Sequence, residues 1–409
     1  MRVVQVNLAF DPALPSAEAL LDRYATLTGW AEALARAGAE VLTVQQFHSS
    51  ANVTRAGIGY AFGPFREIVR RASRWRADVV HINGLDCPLG IWRVSRLQRR
   101  RFGGAAFVVQ DHASGVPAGA VSRAVRRRLL SGVDAFLFSA LEQAQPWRDA
   151  GVIAPRQAVH DVMEASTAIA AVPREEARAA SGVSGDPAVL WVGRLNANKD
   201  PLTVVDGFER FAAGRPGATL TMVFEGGEAE AAVRARVVSD TGGRLVSDTG
   251  DRAVSDTGGA CGRIRLVGAV PHDRIAAFFS AADLFVSGSH HEGSGYALIE
   301  ALACGAVPVV TPIPAFRAIL GAGQVPGTCQ VRTWHVPGTD PVPAWHLWTP
   351  GDAHACAAAL DRAAAHIDRA AVIEHFQRNL TWDAVGRRAL AVYREVAGRK
   401  NEEGRGRSE

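Results

Sequence analysis

The chain has 409 residues, 48% hydrophobic and 21% charged, the balance of a globular protein rather than a disordered or fibrous one. At this length two domains are expected, burying roughly 75% of the unfolded surface. The net charge of +4 is mild, no apolar run reaches the roughly 18 residues of a membrane span, and "MRVVQVNLAF" is too short in its apolar run for a secretory signal, so the composition reads as soluble and cytoplasmic.

Apolar runs of strand length alternate with amphipathic stretches of helix length, which predicts an α/β protein with parallel sheets. In the first half "RVVQVNL", "EVLTVQQF", "DVVHING", "AAFVVQDH" and "DAFLFSA" read as strands. "YATLTGWAEALARAG" and "PLGIWRVSRLQRRRFG" read as helices between them. The pattern weakens over 155–187, which holds the domain boundary. The second half repeats the rhythm with "AVLWVGRL", "TLTMVFEG", "RIRLVGAV", "DLFVSGS" and "AVPVVT". The expected architecture is two Rossmann-like domains facing across a cleft, over 1–170 and 171–380. A closing helix over 381–397 would cross back to the first domain, and a disordered tail would fill 398–409. One segment breaks the rhythm: 238–261 repeats the octads "VSDTGGRL", "VSDTGDRA" and "VSDTGGAC". Their Gly, Asp, Ser and Thr content predicts turns or loop, as a surface insertion; calcium binding by Asp240, Asp248 and Asp256 is the lesser reading.

Cys87, Cys261, Cys304, Cys329 and Cys356 form no CxxC pair, which fits a reducing compartment and offers no metal site. Lys199 and Lys400 are the only lysines among 45 basic residues. Such a bias toward arginine fits a GC-rich genome, and against it the internal Lys199 stands out.

The chemistry concentrates in "HHEGSGYALIEALACGAVPVV", residues 290–310. "DLFVSGSH" is a buried strand, "ALIEALACG" a helix closed at Gly305, and "HEGSG" the turn between them. Glycines there let backbone approach a ligand, and the N–H groups of the first helical turn suit a phosphate. Glu292 at the strand tip and Glu300 inside the helix would flank that turn, one for each of two sets of hydroxyls, of a ribose and of a sugar. A nicotinamide-dinucleotide reading is weaker. "GSGYAL" has Leu298 where the third glycine belongs, and the next strand ends in Thr311 rather than an acid.

A diphosphate needs cations, and "VLWVGRLNANKDP" places Arg194 and Lys199 in the loop after another strand of the same domain. At about 4 Å and an effective dielectric of about 20, each charge pair is worth roughly 4 kcal/mol before desolvation. A helix terminus adds about 0.3–2 kcal/mol, so the two side chains should dominate. No Asp-x-Asp pair occurs, and the adjacent His290 and His291 are not spaced for chelation, so no metal and no cofactor is expected.

"VGRLNANKDPLTVVDGF" and "HEGSGYALIEALACGAVPVV" resemble the two signature segments of family-4 retaining glycosyltransferases of the GT-B fold, the second carrying that family's pair of glutamates at Glu292 and Glu300. The resemblance is sharp over about 188–312, softer in "LTWDAVGRRALAVYREV" and loose in "LTGWAEALARAGAEV" and "VVQDHASG". It implies that Arg194 and Lys199 bind the diphosphate of a nucleotide sugar and stabilise the departing nucleotide. It gives Glu300 the ribose hydroxyls and Glu292 those of the donor sugar, with the amides of Gly293, Ser294 and Gly295 facing phosphate and sugar. His112 matches the family's histidine near the reacting carbon. The implied reaction is same-face substitution at the anomeric carbon, with a phosphate oxygen taking the acceptor's proton, so Glu292 is not assigned as a covalent nucleophile.

Three features depart from the pattern. The turn after "TMVF" reads "EGGE", so Glu225 brings a charge near the nucleotide; the octads follow; and "NLAFDPALPSAEALLDRY" lacks paired glycines, leaving the acceptor open among saccharide, lipid and small molecule. The arginines of "RVSRLQRRRFGG" and "SRAVRRRLL" would suit peripheral contact with the inner face of an anionic membrane, or equally solvated faces of an arginine-biased chain. No motif supports nucleic-acid binding. The other readings are a catalytically inactive nucleotide-binding relative, against which the intact Arg194, Lys199, Glu292 and Glu300 argue, and a GT-B-type sugar-nucleotide epimerase, which would turn over donor without acceptor.

Overall fold

A computed structural model describes residues 1–97, 99–241, 262–324, 331–333 and 346–405. The chain forms two units, Met1–Ser166 with Leu380–Glu409, and Thr167–Asn379.

In the first unit eight strands make one sheet: β1 (Arg2–Asn7), β2 (Glu40–Gln46), β3 (Ala51–Arg55), β4 (Ile58–Gly63), β5 (Val79–Asn83), β6 (Ala106–Gln110), β7 (Ala135–Phe138) and β8 (Ala158–Asp161). Their order is β3-β4-β2-β1-β5-β6-β7-β8. All neighbours are parallel except β3 and β4. Central strands such as Val79, Val80 and Ile82 of β5 are wholly buried, as a sheet covered on both faces requires. The β3–β4 hairpin, absent from the sequence reading, turns on Ala56 (φ 48°) and Gly57 (φ 76°), the two left-handed residues that match a two-residue turn to strand twist.

The stretch expected as one helix over 88–103 changes type twice, from an α-helix at Pro88–Trp92 to a π-helix at Arg93–Leu97 and a 3-10 helix at Arg99–Phe102. Local partners explain the change. Ser95 is buried against Gly132, and the Arg99 guanidinium bonds the Gly132 carbonyl at 2.7 Å and Asp134 at 2.9 Å.

The chain's last helix, Trp382–Arg405, packs in this unit. Val385, Leu390, Val392 and Val396 share an apolar cluster with Trp30, Ala31 and Leu34 of the Ala25–Arg36 helix. Burial of those four contributes on the order of 10 kcal/mol before entropy. Gly386 is what lets the helices meet, since a Cβ there would lie 2.4 Å from the Ala33 carbonyl oxygen. The helix passes the expected end at 397 and runs to Arg405, because the polar residues there are helix formers with partners: Arg399 bonds Glu395 at 2.5 Å and Lys400 bonds Asp134. Residues 406–409 of the expected tail lie outside the described residues.

The second unit has a six-stranded parallel sheet of β9 (Ala188–Gly193), β10 (Thr219–Phe224), β11 (Ile264–Val267), β12 (Leu284–Ser287), β13 (Val307–Val310) and β16 (His346–Leu347), in the order β11-β10-β9-β12-β13-β16. A separate antiparallel pair joins β14 (Ala322–Gln324) to β15 (Val331–Thr333). The octads begin inside a helix, since 238–241 close Glu230–Thr241; their remainder, with Asp248 and Asp256, lies outside the described residues.

Candidate functional site

In the second unit the chain runs outward from β9 to β10 and β11, then returns to the other side of β9 as β12. Such a reversal opens a crevice at the carboxyl ends of the two diverging strands. Lys199 follows β9 and Glu292 follows β12, and the two side chains form an ion pair across this point, 22% and 15% exposed. Ser289 Oγ donates to the same Glu292 oxygen at 2.6 Å, and Ser289 is itself fixed by Thr311 Oγ1 donating to its carbonyl at 2.5 Å.

The two loops are sewn together by backbone. His290 N donates to the Asn198 carbonyl at 2.8 Å, and Asn198 Nδ2 donates to the His291 carbonyl at 2.9 Å. Asn196 caps the short turn that presents Lys199, its side chain accepting from Lys199 N at 3.0 Å. Gly293, Ser294 and Gly295 lead into the Tyr296–Ala303 helix. Gly295 is its N-cap at φ 62°, where a Cβ would also lie 2.8 Å from Ile319.

Glu300 lies in that helix and is 8% exposed. Its carboxylate bonds His272 Nε2 at 2.9 Å, from the turn after β11. Burial raises the Glu300 carboxyl above its usual range, and the His272 hydrogen bond opposes the shift. The sequence reading missed His272; the signal was "VPHDR" at the mouth of a parallel strand, a polar cluster where ligands bind.

Arg194 leaves the end of β9 on the same sheet edge but pairs with Glu225, which follows β10, at 3.2 Å; both are solvated, at 69% and 73% exposed. "EGGE" thus engages the loop that carries Arg194. Gly227 sits at φ 145° with no room for a side chain, because a Cβ would lie 2.1 Å from the Leu195 carbonyl oxygen. Glu228 accepts from Ala197 N at 3.0 Å, and that backbone bond lowers its carboxyl.

His112 belongs to the first unit. Its Nε2 meets Asn83 Oδ1 at 2.5 Å and its Nδ1 contacts Glu164. Burial pulls the imidazole down to about 4, while Asp86 opposes it. Beside His112 is a cavity of about 410 Å³, lined by residues that include Asn7, Phe10, Asp11, Asn83 and Asp86. The sequence reading missed Asn83, Asp86 and Glu164, which follow or end strands without a motif of their own.

The arginines of the first unit are partly committed. On the Ala120–Leu129 helix Arg123, Arg126 and Arg127 donate to the carbonyls of Pro117, Leu85 and Gly151. No helix among the described residues is long and apolar enough to cross a membrane.

Residues 186–365 match the family described as glycosyl transferases group 1. The chain is 27% identical over 248 residues to a 2-deoxystreptamine N-acetyl-D-glucosaminyltransferase of Streptomyces fradiae, a match covering 56% of this chain and 54% of that protein, so it spans about half the length of this curated relative. Among solved structures, sucrose-phosphate synthase from Thermosynechococcus elongatus superposes with a TM-score of 0.61 at 18% identity, over 97% of this chain and 98% of that one. An E. coli trehalose-6-phosphate protein bound with UDP-2-fluoro glucose gives 0.60 at 12% identity, over 97% of each chain. These likenesses show the fold, two parallel-sheet units of the GT-B type.

Proposed function

We propose that the protein is a glycosyltransferase that moves a sugar from a nucleotide-diphosphate sugar to an acceptor hydroxyl with retention of anomeric configuration. What supports this most is the Lys199–Glu292 pair at the strand reversal of the second unit, on loops sewn together beside a glycine-lined helix start. In this reading Lys199 and Arg194 hold the diphosphate, and two protein cations replace a metal. The amides of Gly293, Ser294 and Gly295 face phosphate and sugar, Glu292 accepts hydroxyls of the sugar, and Glu300 accepts those of the ribose. The match of 186–365 to group 1 glycosyl transferases, and the UDP-sugar held by a protein of the same fold, support the donor assignment.

The bond from the anomeric carbon to the phosphate oxygen breaks with its electron pair on that oxygen. The acceptor oxygen bonds to the same face of the carbon, and its proton passes to the phosphate. Lys199 and Arg194 stabilise the leaving diphosphate, the largest change of charge in the step. His112, kept mostly neutral by burial, lines the acceptor side with its two ring nitrogens engaged by Asn83 and Glu164, and adds little charge there. Work in the cytoplasm belongs to the same reading.

The test is a thermal-shift screen with UDP, GDP, ADP and dTDP in EDTA, followed by NMR of the anomeric proton in the product of the stabilising donor. Stabilisation by none of the four would refute the donor assignment; an inverted anomer would refute retention. Turnover of donor without acceptor would transfer the reading to an epimerase.

A further inference from the structure

The first unit has its own strand reversal. From β1 the chain builds outward through β2 to β4 and β3, then returns to the other side of β1 as β5. The cavity of about 410 Å³ sits at the carboxyl ends of these two strands, lined from one side by Asn7 to Asp11 and from the other by Asn83, Gly84, Asp86 and Cys87. That is the size and placement of a small-molecule site.

Its polar groups are unusual in sign. Asp11 and Asp86 both line it, and among the described residues no lysine or arginine does, in a chain with 45 basic residues. Among the described residues neither carboxylate makes an ion pair. Asp11 accepts from Ala13 N at 2.9 Å and Asp86 from Ser114 Oγ at 2.9 Å, which leaves acceptor capacity on both. Asn7 adds an independent observation. It ends β1, is 4% exposed, lines the cavity, and neither its Nδ2 nor its Oδ1 has a hydrogen-bond partner. A buried amide left open in this way destabilises the fold unless a ligand completes it. Phe10, Leu20 and Leu27 supply an apolar wall for the flat side of a ring.

We infer that this cavity binds the acceptor, and that the acceptor is a ring polyol bearing ammonium groups, an aminocyclitol or amino sugar. Asp11 and Asp86 take the ammonium groups and Asn7 pairs with a ring hydroxyl as both donor and acceptor. The word acceptor rests on the function proposed above; the binding of a cationic polyol does not. A phosphorylated or carboxylated acceptor is disfavoured, because two carboxylates and, among the described residues, no lysine or arginine face it.

The experiment is isothermal titration of the full chain with 1,3-diamino-1,3-dideoxy-scyllo-inositol, its all-hydroxyl parent scyllo-inositol, and myo-inositol 1-phosphate. The diamine is expected to bind at least tenfold more tightly than the neutral parent, and the phosphate most weakly. Asp11→Asn and Asp86→Asn should each weaken the diamine roughly ten- to hundredfold, as expected when a hydrogen bond loses its charge. Asn7→Leu should weaken both uncharged and charged ligands. Equal binding of diamine and parent, tighter binding of the phosphate, or no loss in either aspartate variant overturns the inference. Nucleotide-induced stabilisation of the second unit is measured in the same samples. Circular dichroism and a thermal transition like the parent's show that the variants are folded; if the nucleotide stabilisation is absent in the parent protein it is the donor assignment that fails, while the diamine series still decides the cavity.

Discussion

Lys199→Ala tests the donor site most directly. In the unliganded protein Lys199 is paired to Glu292 and mostly shielded, so its removal strips a partly buried carboxylate of its cation and should destabilise the unit by about 1–3 kcal/mol. A bound diphosphate would lose a charge-assisted hydrogen bond worth about 1.5–3 kcal/mol, which raises Kd about 10- to 150-fold. The assay is thermal unfolding with the stabilising nucleotide at about 100 times the parent's Kd. Linkage then gives the parent about 2.7 kcal/mol, or about 5–11 °C for a unit of roughly 200 residues. A variant with a Kd about 100-fold higher keeps about 0.4 kcal/mol at the same concentration, or about 1 °C. Glu292→Gln separates the roles, because it frees Lys199 from its competitor. It should retain or increase the shift with the nucleoside diphosphate and lose only the extra shift given by the whole nucleotide sugar. A Lys199→Ala protein that starts from a lower Tm yet shows the parent's full shift would make the Lys199–Glu292 pair structural and refute the reasoning.

Glu300 should carry a stability penalty. Its carboxyl titrates above the usual 4.5 in the fold, so the unfolded chain releases its proton first and stability falls as pH rises above that value. Glu300→Gln should therefore raise the Tm at neutral pH, by an amount that fades as pH falls toward 4.5, while weakening nucleotide binding. Gly227→Ala should lower the Tm and the nucleotide shift together, because its Cβ can be accommodated only by moving the Leu195 backbone next to Arg194. In the first unit, burial depresses the His81 imidazole from 6.5 to about 3 beneath the last helix, where it bonds Tyr393. The unfolded chain therefore takes up a proton below pH 6.5 that the fold refuses, and stability falls by about 1.4 kcal/mol per pH unit. His81→Gln should flatten that acid limb in urea titrations at successive pH values, even if it lowers stability at alkaline pH.

The parallel strands of both sheets were legible because the central ones are continuous apolar runs, buried on both faces, and "AVLWVGRL" and "DLFVSGS" fall within a residue or two of β9 and β12. The β3–β4 hairpin was not legible, since its turn is Ala-Gly and β3 alternates half-buried with exposed residues. Nor was the break in the helix after Trp92, which depends on Ser95 and Arg99 meeting Gly132 and Asp134, residues remote in sequence. At the proposed donor site the sequence reading named Lys199, Glu292 and Arg194 but not how they are paired. Lys199 with Glu292 and Arg194 with Glu225 are contacts between residues 93 and 31 positions apart, set by strand order. His272, Asp86 and Glu164 escaped because a single polar residue after a strand has no periodicity to betray it.

Strand order explains why both candidate sites arise where they do, and loop chemistry explains why they differ. Each sheet reverses direction once beside its first strand, between β1 and β5 in one unit and between β9 and β12 in the other, and each reversal splays two loops at the carboxyl edge. The second unit fills its reversal with a lysine paired to Glu292 and a helix start, and sets an arginine paired to Glu225 on the same edge, the groups that the proposed function turns toward a diphosphate. The first unit fills its reversal with Asp11 and Asp86, and among the described residues no lysine or arginine lines the cavity. If the sheets alone determined binding, exchanging charge at either edge would change affinity without changing ligand class. If the loops determine it, Asp86→Lys should abolish capture of a cationic polyol and admit an anionic one, with the nucleotide shift of the second unit untouched.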